Sequence, residues 1–333
     1  MKLKKTIREQ YGLQVYDLFK AGRYEAFRTQ NSVCCIVPVS SFEDEELYEL
    51  YYMSQFLQEK GDPHVAAFLL TKDNGLYFEE KSVRYSICRS NLSQKRAASS
   101  PGRELARFHQ KARAFPYSIT KVNRIGQWKH LWEKRLDQLE GFWRGKVQAH
   151  PLDPFEKLFI ESFPYYLGLA ENAIQYLVDT ELDDHPQPID AATISHNRFS
   201  AGLWQGEHPM KMPTDWIFDH CSRDIAEHLR HEFHHRQAEM REEGFRFLEE
   251  YDRTTPLSSF SWRLLYSRLL FPLHYFECIE EYYLSNEAGK KEAETRLKKM
   301  LKDSNKYEEF LSAYSSMLSI RTRKINLPAI SWL

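Results

Sequence analysis

Apolar and polar positions change rhythm part-way along the chain. Up to about residue 90 the apolar residues come in short runs. The clearest is Val33-Cys34-Cys35-Ile36-Val37-Pro38-Val39, inside a strand-like stretch from Tyr24 to Val39. Val65–Thr71 and Leu76–Glu80 are two more, and Asp73-Asn74-Gly75 between them is a hairpin signal. Val83–Arg89 is a further strand. Two helices interrupt the runs. Residues 6–20 place Ile7, Tyr11, Val15 and Leu18 on one side. Ser41–Lys60 starts on a capping serine, carries acids from Glu43 to Glu46 in its first turn and stops at Gly61. The first ninety residues thus predict a small sheet carrying one helix.

Ser90–Gly102 is polar and rich in breakers, as linkers are. Helical spacing dominates afterwards, in Glu104–Arg113, Leu131–Trp143, Phe155–Val178, Phe260–Leu284 and Lys290–Leu318. Strand-like character returns only around 190–195 and 214–219. The pattern predicts a sheet-containing unit over 1–90, a hinge over 91–102 and a helical unit over 103–333.

The 333 residues give ample length for a core. The 46 basic and 47 acidic residues leave a net charge of -1, so no global basic field points to nucleic acid or to a membrane surface. No run approaches the roughly 18 apolar residues of a membrane span, and the charged opening Met1-Lys2-Leu3-Lys4-Lys5 leads into no apolar signal segment. Five cysteines without a CxxC pair read as buried thiols in a reducing compartment.

Candidate chemistry lies between Thr193 and Arg230. Ser195-His196-Asn197-Arg198 ends a β-prone approach, and Trp216-Ile217-Phe218-Asp219 is an apolar run ending on a carboxylate. A helix bearing Asp224 follows at once. Kinase-like phosphotransferases place their base and their metal-binding carboxylate in this layout.

Longer stretches carry a resemblance. Cys35–Val39 resembles a strand that normally holds a Leu-Lys-Pro core, Gly102–His109 a helix ending in Leu-Ala-x-Phe-His, and Gly126–Glu140 the GxWxxxxxKRLxxLE segment of spore-coat relatives. Phe271-Pro272-Leu273-His274 fits the relatives' C-terminal helix. The chain resembles the aminoglycoside/choline-kinase-like superfamily, and within it the spore-coat proteins of the CotS type. That resemblance implies an α+β, bilobal, protein-kinase-like fold, with a small sheet-containing lobe and a large helical lobe.

It also implies site positions, several of which hold the wrong residue. The loop motif His-x-Asp, then four residues and Asn, is met by His196, but Arg198 stands at the Asp and Leu203 at the Asn. Arginine is neither a base nor a metal ligand, and leucine offers Mg²⁺ no oxygen. Val37 occupies the phosphate-pairing Lys position, so Glu49, its helix partner, has no cation to meet. Gly12 and Gly22 stand alone where a glycine-rich loop is expected. Asp219 matches the metal-binding Asp, and Asp224 the structural Asp after it. Each also has a plain structural reading. His196 can hold the loop, Arg198 can pair with Asp219 in place of a metal, and Asp219 can cap the next turn. Slipping the alignment by one puts Asn197 at the Asp, which is still no base.

His231-Glu232-Phe233-His234-His235 offers a rival chemistry. On a helix His231 and His235 share a face beside Glu232, as zinc hydrolases require, with Glu249 or Glu250 as a third ligand. Five-residue matches arise easily in a stretch this rich in His and Glu. The acidic turn Leu182–Pro186 and the basic helix face around Lys290–Lys299 read as solvated surface.

The expectation is a kinase-like protein that acts by binding, with other spore-coat proteins as partners. Bound cofactors are not expected, and ATP binding is expected to be weak or absent. The resemblance places it in the mother-cell cytoplasm during sporulation and then in the coat. An active small-molecule phosphotransferase with relocated residues and a zinc hydrolase are the alternatives.

Overall fold

In the computed structural model, residues 2–30, 32–91, 100–149, 153–199, 204, 210–236, 240–316, 325 and 327–328 are described. The chain divides into two compact units. One comprises Met1–Arg124, Ala192–His228 and Arg253–Thr255, and the other Ile125–Ala191, Leu229–Asp252 and Pro256–Leu333. Residues 92–99 of the expected hinge lie outside the described residues.

The first unit is built on a 6-stranded antiparallel sheet in the order β1-β2-β3-β6-β4, with β5 also against β6. Its strands are β1 (Leu18–Ala21), β2 (Tyr24–Arg28), β3 (Ser32–Pro38), β4 (Ala67–Leu69), β5 (Phe78–Glu80) and β6 (Val83–Asn91). The continuous apolar run of β3 suits its central place, since all of Ser32–Val37 is buried. One face packs Cys34, Ile36, Phe27 and Ile87 against Ile7 of helix α1 (Lys2–Tyr11). The helix expected over 6–20 stops at Tyr11, where Gly12 takes a φ of 70°, and Leu18 opens β1 instead.

The expected hairpin of Val65–Thr71 with Leu76–Glu80 does not form. β4 and β5 each pair with the long β6, at Phe68↔Cys88 and Phe78↔Tyr85. The Asp73-Asn74-Gly75 turn is present, with Asn74 at φ 62°, but it joins two strands that share a neighbour. Helix α2 (Asp44–Glu59) begins on a capping box between Glu43 and Glu46, two residues later than the Ser41 cap expected. Helix α3 (Pro101–Ala112) and the pair β7 (Thr193–His196) and β8 (Trp216–Asp219) complete this unit.

The second unit is helical. It holds α4 (Trp128–Ala149), α5 (Pro154–Asp183), α8 (Ser259–Leu270), α9 (Leu273–Leu284), α10 (Glu287–Lys302) and α11 (Ser304–Tyr314), with most of α7 (Met240–Thr254). The long apolar stretch from Phe260 is cut at Pro272, which ends α8 and opens α9. Helix α6 (Ser222–Arg236) starts in the first unit and its last turns belong to the second.

Candidate functional site

The antiparallel register of β7 and β8 pairs His196 with Trp216 and Thr193 with Asp219, so the two motif ends lie at opposite ends of one short ribbon. A third segment flanks β8, where the Phe218 N–H donates to Val122 O at 2.9 Å and the Arg124 N–H to Phe218 O at 2.7 Å. Glu49 of α2 holds that segment. Its carboxylate accepts the backbone N–H groups of Thr120, Lys121 and Val122 at 2.8 to 3.1 Å. Burial would raise its pKa, but these donors outweigh it and hold the carboxyl below its usual range. Glu49 is therefore a clamp on the strand-flanking segment.

Asp224 is the electrostatic centre. It is fully buried and takes three donors: the His196 backbone N–H at 2.7 Å, His196 Nδ1 at 2.7 Å and His109 Nε2 from α3 at 3.0 Å. Burial opposes its charge, but the two imidazoles and their hydrogen bonds overcome that and hold its pKa far below the carboxylate range. Burial lowers the pKa of His109, with Asp224 pulling the other way. His196 is thus locked through both its backbone and its ring, and its Nε2 has no hydrogen-bond partner among the described residues.

Two rings that follow His196 in the chain point inward. Phe199 and Trp204 are buried, with ring centroids 5.0 and 5.4 Å from His196, and Phe108 of α3 lies 5.2 Å from Trp204. Lys211, also buried, spans the same cluster. Its ammonium sits 4.4 Å over Trp204, 2.6 Å from Asp62 and 3.6 Å from Glu104. Neither Lys211 nor Asp62 stood out in the sequence, because nothing local links residues 149 apart.

Asp219 ends β8 at 0% exposure and accepts the His220 N–H at 2.8 Å. Arg223, one turn on, sets its Nε 3.3 Å from Asp219 Oδ2. The i, i+4 spacing could have flagged this pair in the sequence. Arg198, the substitute at the expected Asp, is 43% exposed and pairs with Glu227 at 3.8 Å. Leu203 lies outside the described residues. Val37, opposite Ser86, lines a cavity of ≈ 550 Å³ with Tyr24, Phe42, Tyr85 and Thr214. At that cavity the β1–β2 turn is fastened down. Tyr24 OH donates to buried Asp215 Oδ1 at 2.5 Å, and Arg23 pairs with the same oxygen.

α6 carries His231 and His235 four residues apart on one helix, with Glu232 beside them; the His235 side chain lies outside the described residues. Among the described residues no group of three His, Cys, Asp or Glu side chains is arranged to hold a metal ion.

The family described as "Spore coat putative kinase YutH" matches residues 4–314. The chain belongs to the YutH spore-coat family. It is 52% identical, over 332 residues, to the endospore coat-associated protein YutH of Bacillus subtilis, covering 99% of this chain and 98% of that protein. Among solved structures, an aminoglycoside phosphotransferase from Alicyclobacillus acidocaldarius matches with a TM-score of 0.68 at 15% identity, covering 94% of this chain and 95% of its own. A spectinomycin phosphotransferase in complex with ADP and spectinomycin matches at 0.64 and 12%, covering 94% and 98%. These likenesses establish the aminoglycoside-phosphotransferase-like, kinase-like fold for this YutH-family chain. The α+β composition expected from the residues holds, a small antiparallel sheet followed by mainly helical structure. Among the described residues no helix is long and apolar enough to cross a membrane.

Proposed function

We propose that this YutH-family chain is a component of the bacterial endospore coat that works by binding other coat proteins and does not transfer phosphate. The coat assignment follows the relative whose name carries it. Synthesis in the mother cell, before assembly into the coat, is part of the same reading, as is descent from CotS-type relatives.

The loss of phosphotransfer rests on Asp219. A Mg·ATP site needs several oxygen ligands, a phosphate-pairing cation and a base for the acceptor hydroxyl. Asp219 is the one carboxylate at its position, and the cation beside it is the chain's own Arg223. Val37 supplies no charge to a phosphate, Arg198 accepts no proton, and Asp215 engages Arg23 and Tyr24 on the wall of the cavity that Val37 lines. Mg·ATP does not fit this residue set.

Isothermal titration of the full chain with ATP, with and without Mg²⁺, tests the reading alongside a phosphotransfer assay on aminoglycosides, choline and sugars. The expected outcome is no Mg²⁺-dependent binding and no turnover. ATP-dependent phosphorylation of any acceptor, abolished by Asp219→Ala in a folded protein, would overturn it.

A further inference from the structure

The helical unit encloses a cavity of ≈ 370 Å³ that the kinase-like site does not use. His234 on its wall is ten residues past Asp224, about 15 Å along α6. A cavity of about 150 Å³ already holds a benzene ring. This one has room for two fused rings.

Its walls are aromatic. Tyr307 stands 5.3 Å from the His274 ring and 6.1 Å from the nearly parallel His234 ring, and Phe233 packs edge-on to Tyr307 at 4.9 Å. Tyr166 and Leu169 of α5, both buried, also line the cavity. Ring-lined walls favour a planar guest, which gains offset stacking beyond the area it buries.

Charge around the cavity is balanced. Glu281 pairs with Arg296, and buried Asp303 pairs with Lys306 at 2.8 Å. Glu277 also lines the wall, as does Lys299, which donates to the His234 carbonyl at 3.1 Å. The wall itself carries three carboxylates and two cations, and Lys306 and Arg230 beside it supply further positive charge, so neither sign dominates. A charged guest would lose its hydration here with no net opposite charge to compensate.

Several polar groups on the wall are already engaged inside the protein. The Tyr307 hydroxyl donates to Leu269 O at 2.7 Å, the Cys278 thiol to Ala293 O at 3.2 Å and the Ser304 hydroxyl to Leu301 O at 3.0 Å. His274 Nδ1 is buried and has no hydrogen-bond partner among the described residues. Burial holds the ring neutral, helped by nearby His234 and Arg230, so Nδ1 is either an acceptor or an N–H donor according to tautomer. A hydroxyl group serves in either case, because it both donates and accepts.

We propose that this cavity binds an uncharged, planar, two-ring aromatic compound bearing a hydroxyl, with the rings against the aromatic wall that includes Tyr166 and Tyr307 and the hydroxyl on His274 Nδ1. The inference stands apart from the reading of the kinase-like site.

Calorimetric titration of the full chain with 2-naphthol tests it, beside 2-naphthoate and 2-naphthylmethylamine as charged counterparts. 2-Naphthol should bind one to one, and both charged analogues at least about tenfold more weakly. Leu169→Trp, which fills the cavity, should abolish binding. His274→Phe should weaken it roughly fivefold to tenfold, the worth of one neutral hydrogen bond. The imidazole proton resonances of the unaltered chain give a readout that needs no variant, and 2-naphthol should shift those of His234 and His274. No saturable binding, binding that survives Leu169→Trp, equal affinity for either charged analogue, or shifts confined to other histidines would each overturn the proposal.

Discussion

Arg223 holds its guanidinium Nε 3.3 Å from Asp219 Oδ2, and both side chains are buried. A carboxylate that ends a strand thus faces a cation that the next helix turn supplies. A buried pair is costly to break from one side, because the survivor keeps its charge without compensation. Asp219→Ala should lower stability by about 3–5 kcal/mol, and Asp219→Ala with Arg223→Leu by clearly less. Thermal and urea melts of the four proteins in the cycle check this. Additive effects would mean that the two groups do not act as a pair.

The buried Lys211–Asp62 bridge calls for the same logic on a different element. Lys211→Met leaves Asp62 charged and buried beside Glu104, at a cost of about 3–5 kcal/mol. Lys211→Met with Asp62→Leu should recover much of that loss. A double variant as unstable as the single one would assign the cost to the rings under the ammonium instead.

Tyr24 and Arg23 fasten the β1–β2 turn to Asp215. A hydrogen bond to a charged acceptor contributes about 1.5–3 kcal/mol, so Tyr24→Phe should cost that order of stability. Hydrogen exchange at Lys20–Glu25 should quicken in the variant, while β3 and β6 stay protected. Unchanged exchange at the turn would show that Asp215 does not hold it.

The pH dependence of stability follows from Asp224, His109 and His274. Asp224 has a depressed folded pKa, so its contribution is complete above the unfolded value near 3.8 and is lost as pH falls toward the folded value. His109 and His274 also have depressed pKa values. For them the unfolded chain takes up protons near 6.5 while the folded chain resists, so stability falls as pH drops below about 6.5. All three act in one direction, and the melting temperature should decline on acidification from about 6.5 downward. His109→Gln, which keeps a donor for Asp224, should flatten part of that decline between about 6.5 and 4. An unaltered slope would remove His109 from this account.

The sequence by itself determined the secondary structure around the site and the residue types at its expected positions. Alternating and continuous apolar runs place β3, β7 and β8 because side-chain direction follows backbone period. The residues at Val37, Arg198 and Asp219 exclude or allow chemistry by type alone, whatever surrounds them. Tertiary structure decided the partners. Arg223 rather than Arg198 lies against Asp219 in the ion pair described above, because one helical turn brings residues four apart together while Arg198 points toward Glu227. β5 joins β6 and not β4, since a hairpin signal fixes a turn but not which edge its strands meet. Lys211 reaches Asp62, and His109 reaches Asp224, across gaps of 149 and 115 residues. Such pairs form only when the fold closes, because no local spacing encodes an approach between distant segments.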